Sequence, residues 1–252
     1  MTFRQLDQLR GRHEKFEYII QPEHGLRVGS YALDIFLTLE REVFPFTPIT
    51  LPEHDHNMTA LKIMYGSLLH DIGKESIKSQ HIFYNNRKLT PEEKTEVEEH
   101  PSLGADIIRC IDPEGMNPII DGIADIVESH HEEANGSGYP YGLKGLEIPT
   151  EARIISVCDK FDAVTVDRGY NHVKAPQEAI AWLRKDAKDE FDSFIVNVLE
   201  NLLNDPRSTT SKTFQEGQLY LSELKKNRML PLQQVPQDSK PMTELPDVSY
   251  AA

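Results

Sequence analysis

Cysteine is nearly missing from this chain: among 252 residues there are only Cys110 and Cys158. Two thiols cannot build the disulfide framework of a small secreted domain, so a reducing, cytoplasmic setting is expected. Long apolar runs are missing too. No window reaches 18 uninterrupted apolar residues, which excludes a spanning helix. The opening MTFRQLDQLRGRHEKFEYII is charged throughout and lacks an apolar signal core. Basic charge is in deficit, with 27 Lys and Arg against 41 Asp and Glu and a formal net charge of −14. A surface of that sign cannot replace the counterions of a nucleic-acid duplex, and that class of partner is excluded. A small anion held by a metal and a few local cations is not. Apolar residues make up 38% of the chain, below the ~45–50% usual for globular domains. A polar tail and polar loops account for that shortfall.

Strand signals are scarce, while helical spacing recurs. Leu26, Tyr31, Leu33, Ile35, Phe36 and Leu39 suit a helix opening near Pro22. Leu61, Met64, Tyr65, Leu68 and Leu69 suit a second, ending near His70. Thr90-Pro91-Glu92-Glu93 combines a cap, a proline at the first helical position and a capping box, and predicts a helix running to about Ile111. Further helices are expected from Pro118 to His131, from Pro149-Thr150 through Asp162, from Pro176, and from Phe191 to Leu203. Three prolines make Phe44 to Met58 a loop, and glycines at 136, 138, 142 and 145 make Ala134 to Gly145 an elaborate turn. Beyond Pro206 a short helix over Gln218 to Leu230 and a disordered tail from Pro231 are expected. The fold class is all-α.

Five of the ten histidines, His24, His70, His100, His130 and His131, join Asp71 and Asp159 in a suggestive series. The gaps from His24 to His70, His100 and His130, and from His131 to Asp159, are 46, 30, 30 and 28 residues. Each is about one helix plus a loop, which puts the candidates on different helices, as bundles do when they build internal metal sites. Mixed imidazole and carboxylate donors suit iron, manganese or zinc. Adjacent pairs such as His70-Asp71 and His130-His131 diverge on a regular helix, but both members serve near a helix end or over two metals. His13, His81 and His172, and His54 and His56 around Asp55, read as ordinary surface or hydrogen-bonded histidines. Cys110 reads as buried packing, and Cys158 as a neighbour of Asp159 rather than a catalytic thiol.

The strings H-D-I-G-K at 70–74, H-P at 100–101, H-H-E at 130–132, G-Y-P at 138–140, I-P at 148–149 and D-K-F-D-A at 159–163 occur in one order. That ordered set closely resembles the HD-GYP family of metal-dependent phosphohydrolases over roughly residues 20 to 203. The resemblance implies a helical HD-domain bundle with its metal site in the bundle core. It divides the chain into an N-terminal helical extension (1–20), a catalytic domain (21–205) and a C-terminal extension (206–252). It implies metal ligation by His24, His70, Asp71, His100, His130, His131 and Asp159, with Asp71 bridging two divalent ions, iron or manganese. Lys74 is implied beside the scissile phosphate and Arg168 in the loop that grips the substrate, with Gly138, Tyr139 and Pro140 forming the loop that gives the family its second name. The implied activity is hydrolysis of cyclic di-GMP by a water activated between two metals ~3.5–4 Å apart.

Departures from the pattern narrow that expectation. Ile20 stands where three-metal members carry a glutamate, which implies two metals and a linear product, pGpG. Asn135 replaces a usual aspartate, and Arg168-Gly169-Tyr170-Asn171 lacks a cation usual after the tyrosine, which implies weaker phosphate binding. Two alternatives stand beside the main reading. One is a phosphohydrolase for another cyclic dinucleotide or nucleotide phosphoester. The other is a weakly active module whose Tyr139 loop docks a diguanylate cyclase (GGDEF) partner. Regulation is expected through the tail, a partner, metal loading or a homodimer.

Overall fold

The computed structural model describes residues 22–42, 56–83, 87–166, 173–185, 187 and 189–226. The expectations for residues 1–20, for most of the 44–58 loop, for His13, His54, His172 and Arg168, and for the tail beyond 226 lie outside them. Among the described residues there are nine α-helices and no strand, as the scarcity of alternating β-branched residues predicts.

Helix α1 (Pro22–Glu42) is the central element. Val28, Tyr31, Ala32, Ile35, Phe36 and Leu39 recur at helical spacing and are all buried. Helix α2 (His56–Leu69) begins two residues before the end of the expected loop. Its buried stripe differs from the one its large side chains suggest. Leu61 and Tyr65 are exposed, while Thr59, Ile63, Gly66 and Ser67 are buried. Small residues on that stripe let α2 lie close against its neighbours.

The capping box at Thr90 forms as expected. Glu93 N donates to Thr90 Oγ1 at 3.2 Å and Thr90 N donates to Glu93 Oε2 at 2.9 Å. The helix it starts does not reach Ile111. It stops as α3 (Pro91–Val97), and α4 (His100–Arg109) begins after a two-residue break. Pro101 has no N–H to give to Val97 O four residues back. His100 Nδ1 donates to that carbonyl instead, at 2.7 Å. Helix α5 (Pro118–Ser129), capped by Asn117, ends just before His130. Helix α6 (Thr150–Thr165) runs one turn past Asp162. Helices α7 (Pro176–Lys185) and α8 (Ser193–Asn204) follow, with Asp192 capping α8.

The last described helix, α9 (Thr209–Lys226), starts nine residues before the expected Gln218. Its anchors are polar, which is why hydropathy did not reveal them. Thr210 donates to Asp34 Oδ2 from both N and Oγ1, at 2.8 and 2.9 Å, and Thr213 Oγ1 pairs with Ser30 Oγ at 2.8 Å. Cys110, expected inside, is exposed at the C-terminal end of α4, whereas Cys158 is buried within α6.

The main apolar core joins α1, α2 and α6 to α7 and α8, and Phe214 of α9 packs against it. A smaller cluster (Ala105, Ile108, Ile123, Ala124 and Val127) fastens α4 to α5. Among the described residues no helix is long and apolar enough to cross a membrane.

Candidate metal centre

Three of the candidate histidines stand at helix ends, and each ring meets the same local need. The last carbonyls of a helix have no donor within the helix. His70 follows α2 and its Nδ1 donates to Ser67 O at 2.8 Å. His130 follows α5 and its Nδ1 donates to Val127 O at 2.6 Å. His100 does the same for Val97 O across the α3–α4 break. A carbonyl only accepts, so each Nδ1 carries a proton and, in the neutral ring, each Nε2 presents a lone pair.

Those lone pairs converge. His100 Nε2 lies 3.3 Å from His130 Nε2 and 3.5 Å from Asp71 Oδ1. His70 Nε2 lies 3.5 Å from Asp71 Oδ2 and 3.8 Å from Asp159 Oδ1, is buried, and has no hydrogen-bond partner among the described residues. Donor atoms of Asp71, His100, His130 and His131 all fall within 4.8 Å of one another, and so do those of His24, His70 and Asp71. Asp71 is common to both groups. Asp159, on α6, reaches the second group through His24 Nε2 at 3.0 Å.

The electrostatics fit cations. Burial, with Lys74 nearby, pushes His100 down to about 4. Burial and the neighbouring His100 push His131 down to about 3. Burial also drives His130 well below its ordinary value. These rings are therefore neutral and available as donors. Burial opposes charge on Asp71, but the Lys74 ammonium together with His70 and His100 outweighs it and holds the carboxyl well below the usual range. Burial likewise opposes charge on Asp159, and His24 outweighs it. For His24, burial opposes protonation, but Asp159 and Asp162 outweigh it and raise its pKa. Ionised carboxylates facing unprotonated imidazole nitrogens in a buried space repel one another unless positive charge sits between them. The donor set fits divalent cations, and Asp71 is common to both donor groups.

All seven candidate ligands are thus brought together. Lys74 stands at the rim, where its ammonium donates to Asp71 Oδ2 at 2.6 Å. Gly73 lets this turn lie against α4, since a Cβ there would fall 2.0 Å from His100 O. Tyr139 N donates to His131 O at 3.1 Å, and the two rings lie 4.9 Å apart between centroids, with Gly138 and Pro140 flanking the tyrosine.

Three further residues support the site: Glu132 and Asp162 stand inside the H-H-E and D-K-F-D-A strings without a role assigned to them there, and Arg27 stands outside the strings. Arg27 forks onto Asp162, with Nε to Oδ1 at 2.7 Å and Nη2 to Oδ2 at 2.9 Å, and Asp162 Oδ2 accepts from His24 Nδ1 at 2.7 Å. Buried Glu132 accepts from Tyr141 N at 2.7 Å and Leu143 N at 2.9 Å, which orders the 134–145 turn. The available signal was spacing: Arg27 and Asp162 each lie three residues after a ligand candidate, one turn along the same helix.

Residues 50–195 match a family model described as HD domain. A cyclic di-GMP phosphodiesterase of Thermotoga maritima is 39% identical over 118 residues, covering 47% of this chain and 31% of that protein. The cyclic di-GMP phosphodiesterase response regulator RpfG of Xanthomonas campestris pv. campestris is 37% identical over 131 residues, or 52% of this chain and 33% of that one. The chain therefore spans about a third of the length of these curated relatives. A solved cyclic GMP-AMP-specific phosphodiesterase of Vibrio cholerae shares the fold, with a TM-score of 0.51 at 20% identity over 83% of this chain and 49% of that chain.

Proposed function

The chain belongs to the HD domain family, and from that premise we propose that it is a metal-dependent phosphodiesterase that opens cyclic di-GMP to linear pGpG. The observation that carries this reading is Asp71, whose carboxylate is shared by two groups of buried donors. Two divalent ions, held by His24, His70, Asp71 and Asp159 on one side and by Asp71, His100, His130 and His131 on the other, would neutralise a phosphodiester and lower the pKa of a water. Mixed imidazole and carboxylate donors accept iron or manganese, the ions proposed here.

The side chains supply the rest. The carbonyl bonds at Nδ1 of His70, His100 and His130 fix the rings before any ligand arrives, so no reorganisation is needed during reaction. Lys74 keeps an ammonium at the rim, where an equatorial phosphate oxygen gathers charge. The Gly138-Tyr139-Pro140 loop packs on His131 and forms a wall beside the proposed substrate position. Arg168 is proposed as a second cation for the phosphates. The free thiols Cys110 and Cys158 suit the reducing cytoplasm proposed as its setting.

The test is a product assay. Metal-reconstituted protein is incubated with cyclic di-GMP and the nucleotides are separated by chromatography. Accumulation of pGpG is expected, and undiminished substrate overturns the reading. A second reading, cleavage of another cyclic dinucleotide, is favoured by the replaced cation at Asn171. It predicts that cyclic GMP-AMP disappears first in a parallel incubation.

A further inference from the structure

Arg27 and Asp162 are not metal donors, yet they are deeply buried charges, at 4% and 0% exposure. Burying an ion costs several kcal/mol unless it is closely paired, so such a pair in a helical core calls for a reason. The reason lies at His24. This ring sits in the first turn of α1, where the backbone has spare N–H groups and no spare carbonyl. The device that orients His70, His100 and His130 is therefore closed to it. Asp162, one turn along α6 from Asp159, supplies the missing Nδ1 acceptor at 2.7 Å.

Helix α9 packs over this arrangement. Gln218 Nε2 donates to Thr165 O at 2.9 Å, one turn beyond Asp162, and Thr213 is tied to Ser30 on α1. Between these ties Gly217 faces Arg27, and a Cβ there would fall 2.9 Å from Arg27 Cδ. Arg27 cannot swing aside, because its guanidinium is held at two points by Asp162.

We propose that Asp162, locked by Arg27, is the positioning carboxylate for the His24 half of the dinuclear centre, and that α9 holds that lock in register. This rests on the metal-dependent reading above. It gives the C-terminal helix a role at the site: α9 sets how well one of the two ions is held. Support of this kind typically changes metal affinity by ~10–100-fold.

The experiment is a Mn²⁺ titration against a competing chromophoric chelator, with the full chain, alongside circular dichroism and metal-free melting. Wild type is expected to take up two ions. Asp162→Asn is expected to keep one at wild-type affinity and to bind the other about 10–100-fold more weakly. Because that change strands the Arg27 guanidinium, Arg27→Met combined with Asp162→Asn removes both charges and keeps the test open if the single variant does not fold. Gly217→Ala, remote from any donor, is expected to weaken the same single ion. Two ions at wild-type affinity in the folded double variant overturn the proposal, and so does equal weakening of both. Wild type that binds two ions but cleaves no cyclic dinucleotide refutes the proposed activity alone, and the titration still decides this inference. Uptake of fewer than two ions by wild type overturns both.

Discussion

Asp71 has one carboxylate and two sets of neighbours. Its Oδ1 faces His100 at 3.5 Å and its Oδ2 faces His70 at 3.5 Å, so neither oxygen can be spared. Asp71→Ala is expected to abolish turnover and to lower metal content below two ions per chain, measured by elemental analysis. Full activity in that variant would remove Asp71 from the site. Lys74 is a different case, since it borders the donors without belonging to them. Lys74→Ala is expected to cost about 10²–10³ in kcat, the usual effect of one electrostatic contact to a transition state, with two ions still bound. Loss of metal instead would make Lys74 a structural partner of Asp71. The ligand candidates were legible because residues of one chemical kind recur in motifs at gaps of a helix plus a loop. The roles of Arg27 and Asp162 were not, because a buried ion pair and a solvated one look alike in a string of letters, and that of Glu132 was not, because its partners are backbone N–H groups. Only the fold shows that Asp162 faces His24.

At the scale of elements, the candidate ligand histidines are part of how the helices end. His70, His100 and His130 each fill a carbonyl that the helix leaves open. Helix termination and metal preparation are thus one event. The 91–109 stretch shows this best, because its capping box was readable while its break was not. Periodicity runs straight through Glu98 and Glu99, and only the missing N–H of Pro101 stops the helix. Pro101→Ala restores a donor for Val97 O, which then competes with His100 Nδ1. The expected outcome is a continuous helix with equal or higher far-UV helicity, and an ion on the His100 side bound ~10–100-fold more weakly. Mn²⁺ titration checks this, and unchanged affinity at raised helicity would show that the carbonyl bond is dispensable. The first half of helix α9 failed to show in the sequence for the opposite reason. Thr210, Ser211 and Thr213 hold it through hydrogen bonds and close packing, so no apolar stripe announces it.

For the whole molecule, the donors occupy a region that two apolar clusters frame but do not fill. The larger cluster brings α1 and α6 together with His24 and Asp159, and the smaller fastens α4 to α5, carrying His100 and His130. Each cluster buries its own side chains, so the helices persist without ions. The centre between them does not rest easily, because ionised Asp71 and Asp159 crowd together beside a buried His70 Nε2 that has no hydrogen-bond partner among the described residues. Lys74 meets Asp71 on one side, and His24 lies between Asp159 and Asp162 on the other. The donors would hold divalent cations that relieve that remaining repulsion in the folded chain, and the unfolded chain offers no such cluster. An ion at ~100 times its Kd adds about 2.7 kcal/mol to folding. For a chain of this size that is roughly 5–10 °C of midpoint per ion. Chelation is therefore expected to lower the melting midpoint by at least that much while leaving low-temperature helicity intact. Readdition of Mn²⁺ should restore the midpoint, which then rises with the logarithm of the free ion concentration. A midpoint that ignores both chelator and metal would mean that the buried donors are already balanced within the protein, and the dinuclear reading would fall with it.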